Sequence, residues 1–183
     1  MKKLLYVTAY NQNDQLVHID NASKEEQYHC LECGVEMILR KSELGLRRTN
    51  FAHKTLAANC TPESVLHRSF KEFLFQRINN HLATDTPLSF SWKCDYCKEQ
   101  HKGNLIKKCN NVKMEFAMEQ ARPDIALLDS QGNVIAVIEI VVTHRPEEKV
   151  LAFYRENNII VITIELTKED DLNRVFDEVL SLS

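Results

Sequence analysis

No stretch of this 183-residue chain approaches the length of a membrane span, and its most apolar run, Val134-Ile-Ala-Val-Ile-Glu-Ile-Val-Val142, is short and interrupted by an acid. There is no basic excess either: 23 Lys and Arg against 26 Asp and Glu leave a formal net charge of -3. A globally basic nucleic-acid binder is excluded on that balance, and any nucleic-acid contact must come from local patches. No secretory leader is expected, because the basic-then-apolar start Met1-Lys-Lys-Leu-Leu-Tyr-Val7 has too short an apolar part and ends in Asn11-Gln-Asn-Asp14. Cytoplasmic residence is the expectation. Low-complexity linkers are absent, and so are internal repeats beyond two cysteine pairs. Apolar content of 44% and charged content of 27% are those of an ordinary globular protein, one domain or one domain with a small appendage.

What is present starts with Glu139. It stands in the middle of a run so rich in β-branched residues that a strand covered on both faces is expected. An isolated buried carboxylate is costly, so Glu139 needs a partner: a core Arg or Lys, or a metal. Arg122-Pro123-Asp124 leads into a second apolar strand, Ile125-Ala-Leu-Leu128, and the turn Ser130-Gln-Gly-Asn133 joins the two strands as a hairpin. Adjacent strands that each carry an acid can place both carboxylates on one hard cation such as Mg²⁺ or Mn²⁺, whose bound water can attack a phosphate.

The six cysteines point to metal rather than to a disulfide framework. Cys30-Leu-Glu-Cys33 and Cys94-Asp-Tyr-Cys97 are both C-x-x-C pairs, each followed by further soft ligands. Cys30, Cys33, His53 and Cys60 make a closed tetrahedral set for structural Zn²⁺, with His29 as an alternative to His53. The second set is Cys94, Cys97 and Cys109, with His101 as the candidate fourth ligand. Neither pair has the strand–helix context of a thioredoxin-type redox motif.

Element signals run along the whole chain. A hairpin is expected from 4–9 and 15–19, and a strand at 35–39. Residues 1–60 form the hairpin and a zinc-ribbon-like module. A helix opens at Thr61-Pro62-Glu63, a good N-cap and first turn, and runs to about residue 82. Strands are expected at 88–92, 112–116, 124–129, 134–142 and 159–164, and helices from Pro146 to about 157 and from Lys168 to Leu182. The second region, 61–183, is therefore α/β, a mixed sheet flanked by helices, with a zinc knuckle inserted at 94–109. The closing helix carries apolar Leu172, Val175, Phe176 and Val179, which suit packing on the core or on a second copy.

Pro123-Asp124, a hairpin, then Glu139-Ile140-Val141 resembles the PD-(D/E)xK nuclease signature. Cys30-x-x-Cys33, Phe51-Ala-His53, Cys60 and Glu63-Ser64-x-x-His67-x-x-x-Lys71 resemble more specifically the competence-protein CoiA-like family. The resemblance covers residues 28 to 165 and implies a zinc-ribbon-like N-terminus on a PD-(D/E)xK nuclease core. It implies that Asp124 and Glu139 hold the catalytic Mg²⁺ or Mn²⁺, that Glu63 is a helix acid beside the site, and that His67 orients a water or touches phosphate. One departure stands out: the lysine of the motif is Val141, which can neither polarise water nor neutralise developing charge. Lys71 or Lys113 are candidate substitutes, Glu115 and Glu119 are further candidate acids, and Arg122 and His144 are candidate phosphate contacts.

The expected function is a metal-dependent nuclease or nuclease-like DNA-processing protein. Arg47, Arg48, Lys71, Lys107, Lys108 and Arg122 would meet the nucleic-acid backbone. The alternative is a catalytically inactive, zinc-containing nucleic-acid binder or adaptor in DNA uptake, recombination or phage–host conflict. A zinc-dependent protein-interaction domain remains open on the acidic net charge. A homodimer or a protein partner is compatible with each.

Overall fold

The structure, a computed structural model, describes residues 4–41, 48–55, 57, 59–94 and 97–182. The chain divides into two compact units, Met1–Ser69 and Phe70–Ser183.

In the first unit, β1 (Thr8–Asn11) and β2 (Leu16–His18) form the expected antiparallel hairpin. Its turn is held by Asn11, whose Oδ1 accepts from the backbone N–H groups of Asn13 and Gln15. Asp14 adopts a left-handed φ of 55°, which a short polar side chain tolerates. Three more strands, β3 (Tyr28–His29), β4 (Glu36–Arg40) and β5 (Asn50–His53), extend the sheet to the order β2-β1-β3-β4-β5. A lone bridge between Tyr6 and Phe51 ties the approach to β1 to the far strand, so the sheet curls back on itself. Ala9, Tyr28, Leu31, Met37, Phe51 and Val65 fill its core. Strand β3 is only 2 residues long, too short for alternation to announce it in the sequence.

Helix α1 (Pro62–Ala83) begins in this unit and continues into the second. Thr61 caps it as expected, its Oγ1 accepting the Ser64 N–H at 3.2 Å, with Pro62 in the first helical position. Val65, Leu66, Phe70, Leu74 and Ile78 are buried at helical spacing.

The second unit holds two sheets. Strands β6 (Ser89–Lys93) and β7 (Gln100–Asn104) pair antiparallel. A four-stranded sheet follows, built from β8 (Asn111–Met114), β9 (Ile125–Leu128), β10 (Val134–Val141) and β11 (Ile160–Glu165), in the order β11-β10-β9-β8. Gly132, at φ 84°, turns the chain between β9 and β10, and the Asp129 carboxylate accepts the Gln131 and Asn133 N–H groups there. Strands β10 and β11 run parallel and are joined through α2 (Glu148–Glu156), the crossover that parallel neighbours need. Phe153 and Tyr154 of α2 pack with Val137 and Ile159. The architecture is α/β with mixed sheets.

Three expectations are corrected. The segment 94–109 is not a mere excursion, because it contains β7. The strand at 88–92 does not enter the four-stranded sheet; it is the centre of a separate sheet, β12-β6-β7, whose third member is β12 (Leu180–Leu182). The closing helix from Lys168 to Leu182 is instead a 3-10 helix, Glu169–Val175, followed by that strand. Asp171 Oδ2 accepts the Thr167 N–H at 2.6 Å and the Lys168 N–H at 3.0 Å, which anchors a tight turn. Leu172 and Val175, three apart and so stacked on one side of a 3-10 helix, are already buried by it. Pairing of Leu180 with Phe90 then draws the chain straight. A smaller difference is β11, an edge strand whose Ile160 is 64% exposed.

These burials set the stability response. Leu74→Ala, at a fully buried position, is expected to cost about 2–5 kcal/mol, whereas Ile160→Thr should stay within about 0.5 kcal/mol of the parent. Denaturant unfolding followed by far-ultraviolet circular dichroism tests this, and equal losses would contradict the assigned core.

Candidate functional site

The first candidate centre is a knuckle built by the backbone. The Cys30 N–H donates to the Val35 carbonyl at 2.9 Å, and the Cys30 carbonyl accepts from Gly34 N–H at 2.8 Å. Gly34 sits at φ 70°, a conformation that favours glycine. The turn presents Cys30 and Cys33, β5 supplies His53, and the residue before the α1 cap supplies Cys60. Cys30 Sγ lies 3.5 Å from Cys60 Sγ, and Cys33 Sγ lies 3.3 Å from His53 Nε2. All four ligand atoms fall within 4.8 Å of one another. Tetrahedral Zn–S bonds separate two sulfurs by about 3.8 Å, so the group has the right size as well as the right chemistry. Burial and the neighbouring Cys30 push the Cys60 thiol up to about 12, burial raises Cys30, and burial lowers His53. A divalent cation reverses that penalty by taking the thiols as thiolates. His29 is not in the group: its Nε2 pairs with Asp14 at 3.2 Å and its ring lies against Tyr10.

The second centre repeats the same backbone pattern. The Cys94 N–H donates to Glu99 at 2.9 Å, the Cys94 carbonyl accepts from Lys98, and Lys98 adopts φ 61° where the first knuckle has glycine. Cys94, Cys97 and His101 form the group, with Cys97 Sγ 3.0 Å from His101 Nε2. The structure does not bring Cys109 to it. That thiol is buried, donates to the Asn111 carbonyl at 3.1 Å, and is raised by burial. Both clusters are compatible with zinc, and they are the only groups of this kind among the described residues.

The third arrangement comes from strand register. In the antiparallel pair of β9 and β10, Ile125 faces Ile138. One step further the same register sets Asp124 opposite Glu139. In the pair of β8 and β9, Met114 faces Ile125, and the Glu115 N–H donates to the Asp124 carbonyl at 3.0 Å. Glu115, just past β8, Asp124, just before β9, and Glu139, within β10, therefore form one row across three neighbouring strands. The Asp124 Oδ2 accepts the Ile140 N–H at 2.9 Å, which fixes that carboxylate beside the Glu139 strand. Into the row comes Lys71 from α1, its side chain only 10% exposed, with Nζ 2.8 Å from Glu115 Oε1 and 3.3 Å from Asp124 Oδ1. The Lys71 ammonium holds the Glu115 carboxyl below its ordinary range. Arg122 donates to the other Glu115 oxygen at 2.8 Å. Glu139 accepts from the Tyr154 hydroxyl at 2.7 Å, and burial first, then this bond, raise that phenol far above its usual range.

The remaining expected residues fall as follows. Glu63 and His67 lie on the part of α1 that belongs to the first unit. Val141, at the motif's lysine position, is 7% exposed. Lys113 rests over the Phe116 ring, and exposed His144 bonds Thr143. Arg48 is exposed, and Arg47 lies outside the described residues. Lys107 and Lys108 line a cavity of about 370 Å³ with His81 and Thr86, near the far end of α1 from Lys71 and without any acid of the row. Tyr154 is the participant that the sequence reading missed. Nothing in a helical FY pair marks one hydroxyl as a carboxylate partner until α2 is docked.

No helix among the described residues is long and apolar enough to cross a membrane. No protein-family model, curated protein or solved structure matches this chain.

Metal content separates the thiols. The purified protein is expected to carry zinc at two groups, with Cys30→Ser and Cys97→Ser each losing one equivalent and Cys109→Ser losing none. Elemental mass spectrometry against protein concentration measures this. An unchanged ratio in Cys97→Ser would reduce the second group to ordinary thiols.

Proposed function

We propose that this chain is a divalent-metal-dependent nuclease acting on phosphodiester bonds, with DNA as the substrate. The observation that carries the reading is the row Glu115–Asp124–Glu139 with the Lys71 ammonium set into it. Oxygen donors on neighbouring strands suit Mg²⁺ or Mn²⁺, which keep several waters of their own. When bound, such a cation supplies Lewis acidity and a water of lowered pKa.

The residues of the chain have distinct roles in this proposal. Asp124 and Glu139 hold the cation. Tyr154 fixes the orientation of Glu139 through a hydrogen bond of 2.7 Å. Lys71 supplies the positive charge that the motif takes from its own lysine, and it reaches the row from α1 instead of from β10. An ammonium fixed before reaction stabilises charge developing on the phosphate without reorganisation. Glu115 positions Lys71 and Arg122 together. The two cysteine centres would hold structural zinc and present nearby basic residues to the backbone.

A second reading keeps the nucleic acid and drops the chemistry. Val141 is nearly buried at the motif's lysine position, and Lys71 is engaged by two carboxylates. On this reading the row is an ion-pair network that holds a binding module together.

Cleavage of labelled single- and double-stranded DNA with Mg²⁺ or Mn²⁺ decides between them. The nuclease reading expects cleavage by the parent protein, none by Asp124→Asn or Glu139→Gln, and a loss of about 10²–10³-fold in Lys71→Met. Salt-sensitive binding without any turnover in the parent would select the second reading. Cleavage that survives both carboxylate changes would sink the proposed site.

A further inference from the structure

Strand β6 alternates, so Phe90 and Trp92 share one face and Ser89, Ser91 and Lys93 the other. Its partner β7 sets Gly103 opposite Phe90 and His101 opposite Trp92. The three rings form a continuous stack. Phe90 and Trp92 have centroids 4.8 Å apart at 14°, and Trp92 and His101 are 5.4 Å apart at 26°. Gly103 makes the layer possible. A Cβ there would stand 2.9 Å from a Phe90 ring carbon and 3.4 Å from the Trp92 ring, so any side chain would push the stack off the strand. The rings are half-buried rather than enclosed, and β7 is the edge of its sheet.

Charge around this layer is unlike that of the chain as a whole. Residues 93–108 hold Lys93, Lys98, Lys102, Lys107 and Lys108 against Asp95 and Glu99, while the whole chain has more acids than bases. All five lysines are exposed. Lys93, and Lys102 opposite Ser91, belong to the other face of the sheet, whereas Lys98 follows Cys97, whose Sγ lies 3.0 Å from His101 Nε2, and so stands at the knuckle end of the stack. His101 belongs both to the stack and to the second cysteine group, which ties the orientation of the last ring to the knuckle.

Several occupants meet this surface differently. An apolar peptide would leave the lysines without counter-charge. A duplex would satisfy the lysines and leave the rings without partners, because its base faces are already stacked. A single strand supplies both, unpaired base faces for the rings and phosphates for the lysines. We propose that the Phe90–Trp92–His101 layer is a base-stacking platform for single-stranded nucleic acid, with the surrounding lysines taking its phosphates. It lies in the same compact unit as the carboxylate row and deepens the nuclease reading by naming the form of its substrate, on which it rests.

Trp92 is the single tryptophan of the chain, so tryptophan emission, excited selectively over the five tyrosines, reports on the platform alone. The full-length protein, with its bound zinc kept and no Mg²⁺ or Mn²⁺ added, is titrated with oligo-dT, oligo-rU and a blunt duplex of equal length. Saturable quenching by a single strand, tighter than the duplex and weakening with salt, is expected; tighter binding of oligo-rU than of oligo-dT keeps the platform and overturns DNA as the substrate. Phe90→Ala should weaken binding on the order of ten-fold. Phe90→Leu, which keeps the apolar volume, should weaken it as well, and circular dichroism confirms that both variants remain folded. Replacing Lys98 by Gln should flatten the salt slope by roughly one. Binding with unchanged Trp92 emission, equal or tighter binding of the duplex, or no binding at low salt would each overturn the platform. The nuclease reading fails separately: a protein that quenches but never cleaves keeps the platform, and one that cleaves without quenching loses it.

Discussion

The second unit depends on a buried ammonium. Lys71 is nearly withdrawn from solvent, and an unpaired cation there would cost several kcal/mol. Glu115 and Asp124 have to be where they are to offset that cost, and this fixes the ends of β8 and β9 and the rotation of α1 about its axis. The same demand explains the left-handed φ of 46° at Glu115, a strained conformation for a long side chain, which directs its carboxylate to Lys71 and Arg122. Lys71 pairs with both Glu115 and Asp124, and Arg122 takes the second Glu115 oxygen.

In the first unit the corresponding constraint is size. Its sheet is built from short strands, and its core is a handful of residues, so apolar burial alone leaves it marginal. The cysteine group joins three separate segments of the chain: the knuckle at Cys30 and Cys33, strand β5 at His53, and the lead into α1 at Cys60. A metal there ties the sheet to the helix start in the way a disulfide would, without needing an oxidising environment. Tyr6 strengthens the same junction, donating to the Cys60 carbonyl at 2.9 Å while its ring meets His53 edge-on.

Legibility in the sequence followed the range of the interaction. Local devices were readable: the Asn11–Asp14 turn, the Thr61–Pro62 helix start, the Gly132 hairpin and the two C-x-x-C knuckles all have signatures within a few residues. The acids of the row were readable as candidates, because Asp124 and Glu139 stand out against apolar strands. What could not be read was pairing at a distance. Leu180 against Phe90 turns an apparent helix into a strand, and no local pattern reveals a partner that far away in the chain. Cys109 has the spacing of a ligand but is drawn into the start of β8, where its thiol finds the Asn111 carbonyl. His101 was readable as a candidate ligand, but its place against Trp92, like that of Gly103 against Phe90, comes from the residue opposite it on β6.

The departure at Val141 takes on a different character beside Lys71. A motif written along one strand encodes positions in space, and the chemistry needs a cation near the two carboxylates, whatever element supplies it. A lysine on β10 would be held by the strand alone. One arriving from α1 is held by helix packing and by two carboxylates, and its side chain is more fully buried than theirs. Such a lysine is preorganised, and it is also structurally committed. Replacing it removes the charge from the row and at once takes from Asp124, whose side chain is 14% exposed, the ammonium it pairs with. Loss of activity on removing Lys71 therefore carries catalytic meaning only beside Glu139→Gln, which leaves both Lys71 ion pairs in place and changes the row by a single atom.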